Sequence, residues 1–583
     1  MSKSMHLFFS ISAIYFLTSY SINAQNKLPI PDTLSGNNFN LSIQNGTVNF
    51  YPGFQTKTMG VNGSLLGPTL IIKKGTQVQM NVKNNLTDTT TIHWHGMHVA
   101  PQNDGGPHTV ILPGTTWQPQ FTVMDNAATY WYHPHLHKKT AEHVTKGIAG
   151  FIIVRDEQEA SLKLPRKYGV DDFPIVVQSR AFDLAKQFIV RSELDSVLLV
   201  NGTKNPYLQV PAQIVRLRLL NGSTERTYYF GFTGNKSFYQ IGGDGGLLNA
   251  PVPFTRLRLA PGERAEILVD FKSMQGQSTY LMSFASELPT GIIGSSSVGM
   301  GGGLPDYSNN KLNGANFNIL KIDVIAPTLN PITIIPSTLI SNSPFSVSSA
   351  NVTRVLTFTS IGGMMSAAGP FVINGVTFSM DKINYNIPLN NTEIWELRNQ
   401  TLIAHPFHIH DVQFYLLDRN GNQVPLNEGG RKDVVLVEPM ETVRFITKFE
   451  DFANSTVPFM YHCHLLTHED DGMMGQFLVT SPTDVRKENL SLLPINFSLD
   501  QNYPNPFNPE TVIGFHLSIA GHVTLKVFDF LGKEVVTLVN EFKQPGNYNS
   551  KFSIQNYQLS SGVYFYQLKT GQFVSTKKLL FLK

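Results

Sequence analysis

The chain has 583 residues and one cysteine, and that cysteine sits between two histidines. The stretch Tyr461–Met474 reads Tyr-His-Cys-His-Leu-Leu-Thr-His-Glu-Asp-Asp-Gly-Met-Met. In an extended segment alternate side chains face opposite ways. Cys463 then points to one side while His462 and His464 point to the other. His468 and Met473 follow five and ten residues after the cysteine. A thiolate, an imidazole and a distant thioether are three of the four donors of a blue copper site. The second imidazole has to come from elsewhere in the chain, so the fold must bring distant segments to this one.

A lone cysteine is usually a small buried hydrophobe, and a lone histidine is usually a satisfied polar group. Joint clustering argues against both readings. Three other stretches are dense in histidine: His93-Trp94-His95-Gly96, His133-Pro134-His135-Leu136-His137 and His405-Pro406-Phe407-His408-Ile409-His410. With Tyr461–Met474 they resemble the four signature motifs of multicopper oxidases, in the same order, over roughly Phe39 to Thr480.

That resemblance implies an all-β fold of three cupredoxin-like β-sandwich domains and four copper ions, with one metal site completed only where the first and third domains pack together. It implies that His405, Cys463 and His468 hold a blue copper with Met473 as weak axial ligand. His93 and His408 would hold the single copper of a trinuclear cluster. His95, His133, His135, His410, His462 and His464 would hold its coupled pair. Asp104 matches the family's cluster carboxylate and Glu469 its proton donor, while Cys463 would pass electrons to its flanking histidines. His137 extends the His133/His135 alternation and reads as a supporting residue. His98, His108 and His143 are ambiguous, and His516 and His522 read as surface residues.

Residues 1–24 carry Lys3, an apolar run from Leu7 to Leu17 and Ile22-Asn23-Ala24, the pattern of a secretory signal peptide. Export normally invites disulfides, but one cysteine cannot form one within the chain. A free thiol in an oxidising compartment is a liability, and holding copper removes it. No later stretch is long and apolar enough to span a membrane. The net charge of +3 gives no nucleic-acid face.

Charged residues make up 15 %, with 46 Gly and 34 Pro, a balance that favours turn-rich β structure. Residues 25–158 read as a first sandwich carrying ligands, with strands at Thr69–Lys73, Gln77–Val82, Thr90–His93 and Gly150–Arg155. The segment 159–172 is charged and reads as a linker. Residues 172–325 form a second sandwich without a dense histidine cluster, with strands at Ile214–Leu220 and Ala265–Phe271. Its Gly/Ser-rich tail, Gly291–Asn310, reads as a mobile loop. Residues 330–481 form the third sandwich, with strands at Glu393–Arg398, Val412–Asp418 and Thr442–Lys448. Asn420-Gly421 predicts a tight turn there.

Residues 482–495 read as a polar linker and 496–583 as an independent β module. The run Asn502-Tyr503-Pro504-Asn505-Pro506-Phe507-Asn508-Pro509, the turn at Leu531–Lys533 and Ser561–Tyr566 resemble the sorting domain of type IX secretion. Strands are expected at Thr511–Leu517, Val523–Phe528, Glu534–Val539, Tyr548–Ile554 and Val563–Leu568. The partners implied are a small reducing substrate, dioxygen and the secretion machinery. The location implied is secreted or cell-surface by way of the periplasm, with a periplasmic protein as the alternative.

The resemblance leaves the reductant open between phenols or aromatic amines, as for a laccase, and Cu(I), as for a cuprous oxidase. The 16 methionines are scattered, with Met364-Met365 the only pair outside the ligand motif, which favours the laccase-like reading. A non-catalytic cupredoxin scaffold is the remote alternative.

Overall fold

A computed structural model of the protein describes residues 25–299, 304–361, 367, 369–481, 497–517, 521–543, 546–554, 557, 559–571 and 573–583. The expected signal peptide, the expected linker, Met364, Met365 and residues 300–303 of the expected loop lie outside these residues. The chain divides after Ser481 into two units. Among the described residues no helix is long and apolar enough to cross a membrane.

Period-two burial builds the sandwiches of the first unit. In strand Gln77–Asn84, Val78, Met80 and Val82 are buried while Gln77 and Lys83 are exposed. The first sandwich packs a sheet ordered Thr33–Ser35, Thr69–Lys73, Gly150–Arg155, Ala128–His133, His93–His95 against a sheet around Asn38–Tyr51 and Gln77–Asn84. In the third sandwich Val352–Ser360, Thr392–Asn399, Thr442–Lys448 and Tyr415–Arg419 face a sheet built on Met474–Thr480, Phe459–Cys463, His405–Ile409 and Val434–Val437. Trp395 lies fully buried between these sheets against Phe445 and Tyr461. Burying such a side chain contributes about 1.5–3 kcal/mol.

The second sandwich is different at its heart. Strand Ile214–Asn221 is buried along its whole length, yet it carries Arg216 and Arg218. Arg216 pairs with Glu159 at 2.7 Å, and Arg218 pairs with Asp172 at 2.6 Å and with Glu266 at 2.5 Å. Glu266 also accepts from Thr129 of the first sandwich at 2.6 Å. The charged segment 159–172 is therefore no solvated linker. Glu159 and Asp172 are buried, and their charges neutralise arginines that would otherwise be stranded between domains.

The tail of the second sandwich also departs from expectation. Ile292, Ile293, Val298 and Tyr307 are buried, so the described part of Gly291–Asn310 is packed into apolar cores despite its Gly/Ser content. The strand expected at Thr90–His93 is His93–His95, and the backbone of Thr90 makes only an isolated bridge to Ile111. The strand expected from Val412 begins at Tyr415, and Phe414 ahead of it makes only an isolated bridge to Lys432. The Asn420-Gly421 turn forms, with φ of 51° and 76° and Arg419 bridged to Asn422.

The second unit packs Phe497–Leu499, Glu510–Leu517 and Gly546–Ser553 against a sheet ordered Glu534–Lys543, Gly521–Phe528, Gly562–Thr570, Phe573–Phe581. Val523, Leu525, Tyr566, Leu568 and Phe581 fill its own core. The last strand, Phe573–Phe581, was not legible, because the polar run Ser575-Thr576-Lys577-Lys578 interrupts its apolar alternation.

Candidate metal centres

Strand pairing brings the four histidine stretches together. Phe407 lies opposite Cys463 and His408 opposite His462 in one antiparallel pair of the third sandwich. His93 lies opposite His133 and His95 opposite Trp131 in the first. Cys463 joins the buried core of the third sandwich with Phe407 and Met473. His462 and His464 leave the sheet on its other face, toward the first sandwich.

On the core side, Cys463 Sγ lies 3.5 Å from His405 Nδ1 and 3.8 Å from His468 Nδ1. The other nitrogen of His405 shares a 2.9 Å hydrogen bond with Thr401 Oγ1, which leaves Nδ1 free to face the sulfur. The Met473 carbonyl accepts from the Cys463 N–H at 3.0 Å, and Met473 is fully buried in the same core. His468 and Glu469 are neighbours on the short helix Leu466–Asp470. Successive helical side chains diverge by about 100°, so one serves the cysteine site and the other the histidine cluster.

On the opposite side eight buried imidazoles converge. His95 Nδ1 is 3.2 Å from His133 Nε2, and His135 Nε2 is 3.1 Å from His462 Nε2. Donor atoms of His93, His95 and His133, of His93, His408 and His410, and of His135, His410 and His462 each fall within 4.8 Å of one another. His464 completes the set, its ring centre 4.9 Å from that of His95. Two imidazole pairs stack across the domain boundary, His93 on His410 at 3.9 Å and His95 on His408 at 3.8 Å.

Most of these rings are gripped at the nitrogen that faces away from the cluster. His93 Nδ1 lies 3.0 Å from the Asp104 carbonyl, His408 Nδ1 2.8 Å from the Asp433 carbonyl, and His133 Nδ1 2.8 Å from the Pro134 carbonyl. His410 Nδ1 donates to Asp104 Oδ2 at 2.7 Å. Glu469 bridges two rings, 3.3 Å from His135 Nδ1 and 3.1 Å from His462 Nδ1. His95 alone is reversed, with Nε2 at 3.1 Å from Asp433 Oδ1. Such outer contacts fix which nitrogen keeps its lone pair.

The residues fit a metal. The Nε2 atoms of His93, His408 and His410 and both nitrogens of His464 are buried without a hydrogen-bond partner. Leaving a buried polar atom unpaired costs about 1–3 kcal/mol, and a cation accepting the lone pairs removes that cost. Burial pushes His95, His133, His135, His405 and His408 well below the usual imidazole range. It pushes His410 and His464 down to about 3 and His468 to about 4. Neutral rings keep their lone pairs for coordination. Burial pushes the Cys463 thiol up, so its thiolate requires a cation beside it. Two imidazoles and a thiolate with a buried methionine suit copper.

The remaining histidines have other partners. His98 contacts the Asp411 carbonyl and Asp451, and His108 contacts Gln476 at 2.7 Å. His143 is buried on Thr90 Oγ1 at 3.0 Å, and His137 packs edge-on against Phe378. His522 is exposed. Sequence reasoning missed Asp433 and Arg264, which meet behind His95.

The fold and donor set together define a cupredoxin-type metalloprotein. Residues 42–159, 182–310 and 349–483 each match family profiles described as multicopper oxidase, and 501–582 match the secretion system C-terminal sorting domain. The chain is 34 % identical over 453 residues to multicopper oxidase mco of Staphylococcus haemolyticus, covering 76 % of this chain and 89 % of that protein. It is 31 % identical over 479 residues to the cell division protein FtsP of Xenorhabdus nematophila, covering 80 % and 95 %. A solved structure of a laccase-like multicopper oxidase CueO from Ochrobactrum sp., described as active towards lignin model compounds, superposes with a TM-score of 0.68. It shares 32 % identity and covers 78 % of this chain and all of that one. The chain belongs to the multicopper oxidase family. Membership implies a copper-dependent oxidoreductase with dioxygen as acceptor, and the sorting domain points to a secreted or cell-surface protein.

Proposed function

We propose that the chain couples one-electron oxidation of phenols or aromatic amines to four-electron reduction of dioxygen to water. His405, Cys463 and His468, with the Met473 thioether as a fourth donor, would hold a blue copper. His93 and His408 would hold the single copper of a trinuclear cluster, and His95, His133, His135, His410, His462 and His464 its coupled pair. Bound copper would supply one-electron redox storage and a place for dioxygen to be reduced.

One strand carries the proposal. Phe459–Cys463 and the residue after it place a thiolate in one centre and imidazoles in the other. Electrons taken up beside Cys463 then have a covalent path of a few bonds to His462 and His464. Asp104 orients His410 and His93, and its buried carboxylate faces the cluster. Glu469, in contact with His135 and His462, is placed to hold a proton at Oε1 or Oε2 and release it toward the cluster.

The laccase-like choice is supported at His468, the partly exposed member of the cysteine site. Its ring edge is the part of that site a small organic reductant could approach, while the buried Phe371 packs behind it at 4.7 Å and holds it in place. The scattered methionines and the laccase-like relative agree with this. A second reading, oxidation of Cu(I), is favoured by carboxylates beside the same helix: Asp471, paired with Arg191, and Glu225, bonded to Thr467. Similarity to FtsP means that fold alone does not argue for an oxidase, whereas the full donor set does. Turnover of a phenol and of Cu(I) by the copper-loaded protein decides. Turnover of Cu(I) alone would remove the laccase-like reading, and turnover of neither would favour the scaffold.

A further inference from the structure

The second sandwich supplies none of the eight cluster histidines, yet one of its turns reaches them at two points. Gly262 has a φ of +85°, and a Cβ built there would lie 3.0 Å from ring atoms of His464. The turn backbone therefore lies directly on that imidazole. Two residues on, Arg264 is fully buried and grips Asp433 of the third sandwich with both arms, Nη1 to Oδ1 at 2.6 Å and Nη2 to Oδ2 at 2.5 Å. The guanidinium is itself fixed by donating to three carbonyls, Thr129 O, Gly262 O and Asp244 O, each at 3.0 Å. Gly96, beside His95, has a φ of +83°, and a Cβ there would meet Asp433 Oδ2 at 2.2 Å and Arg264 Nη2 at 2.6 Å. Three domains thus close on one ion pair.

We propose that Arg264 and Asp433 are positioning residues that fix the tautomer of His95, and that the second sandwich is thereby a working part of the metal cluster. The proposal rests on His95 being a ligand, as read above. Asp433 Oδ1 faces His95 Nε2 at 3.1 Å, so the ring proton resides on Nε2. Nδ1 is then left with its lone pair, 3.2 Å from His133 Nε2. The opposite tautomer would put a proton between these two nitrogens and exclude a cation. Asp433 is a poor ligand itself, since both oxygens face Arg264 and one also faces His95. Bidentate arginine fixes the carboxylate plane in a way that a lysine ammonium cannot.

The test compares Asp433→Asn, Arg264→Met and Arg264→Lys with wild type. It measures copper per chain, the resistance of that copper to a chelator, and the thiolate-to-copper absorption. Cys463, His405 and His468 do not touch the pair, so their absorption is the control for folding. The expected result is retained absorption with cluster copper held 10–100-fold more weakly in Asp433→Asn and Arg264→Met. Arg264→Lys should restore part of the loss. If the first two variants do not fold, Arg264→Lys carries the test alone, with weaker cluster copper and intact absorption expected. Wild-type copper retention in every variant that folds, with only the melting temperature lowered, would overturn the proposal and leave the pair as domain glue. A wild-type chain that binds the blue copper alone would overturn the ligand reading beneath it.

Discussion

His462 and Cys463 are adjacent in one strand and face opposite sides of their sheet, His462 toward His135 at 3.1 Å and Cys463 toward His405 at 3.5 Å. Two centres are therefore joined by a single peptide unit, and each can be disturbed separately.

Cys463→Ser removes the thiolate and leaves both neighbours in place. The variant is expected to lose its intense thiolate-to-copper absorption and one copper, to keep the cluster copper, and to lose oxidase turnover. Absorption spectra with copper analysis check this. A variant that stayed blue would show that Cys463 is not the ligand.

Glu469→Gln keeps an oxygen near His135 and His462 and removes the titratable group. Dioxygen reduction is expected to slow by about 10²–10⁴-fold, while reduction of the blue centre by substrate stays near the wild-type rate. Stopped-flow measurement of the two half-reactions separates them. Equal slowing of both would assign Glu469 to holding the helix of His468.

His143 gives a pH signature outside the metal centres. Burial pushes its imidazole from the ordinary 6.5 down to about 4. Between these values the unfolded chain binds a proton that the folded chain refuses. Stability should therefore fall as pH drops from 6.5 toward 4, by up to about 1.4 kcal/mol per pH unit from this residue. His143→Gln can keep a bond to Thr90 and should show a shallower fall. Urea midpoints of the copper-loaded proteins at both ends of that window test it. Identical pH slopes would mean that His143 is reached by solvent protons in the fold.

A chain ending at Ser481 contains all the proposed ligands, and the second unit has a core of its own. The truncated protein is expected to bind copper and turn over at the full-length rate, and to remain in the periplasm of its native host. Lost copper, or normal export, would count against a sorting role for residues 496–583.

Local chemistry made much of this legible. The ligands announced themselves because donors cluster within a few residues, and a strand such as Gly150–Arg155 shows a compact apolar run. What stayed hidden depends on pairing at long range. Asp433 meets His95 across 338 positions and Arg264 across 169. Its one local sign is an acid heading the wholly apolar strand Val434–Val437. Glu159 and Asp172 looked like linker charges because the buried arginines that draw them inside, Arg216 and Arg218, lie 57 and 46 positions away. Gly291–Asn310 looked mobile because its composition hides four apolar anchors.

The stacked pairs His93/His410 and His95/His408 draw one ring from each end of the first unit, whereas His405, Cys463 and His468 all belong to the third sandwich. The two sets of donors are therefore completed at different stages of assembly. On the proposed ligand set, a folded third sandwich would already carry every donor of the cysteine site, whereas the histidine cluster is complete only where that sandwich has docked on the first. In the wild-type chain, blue colour without cluster copper would then mark domains that have folded and not yet met, so the ratio of the two metal signals would report assembly.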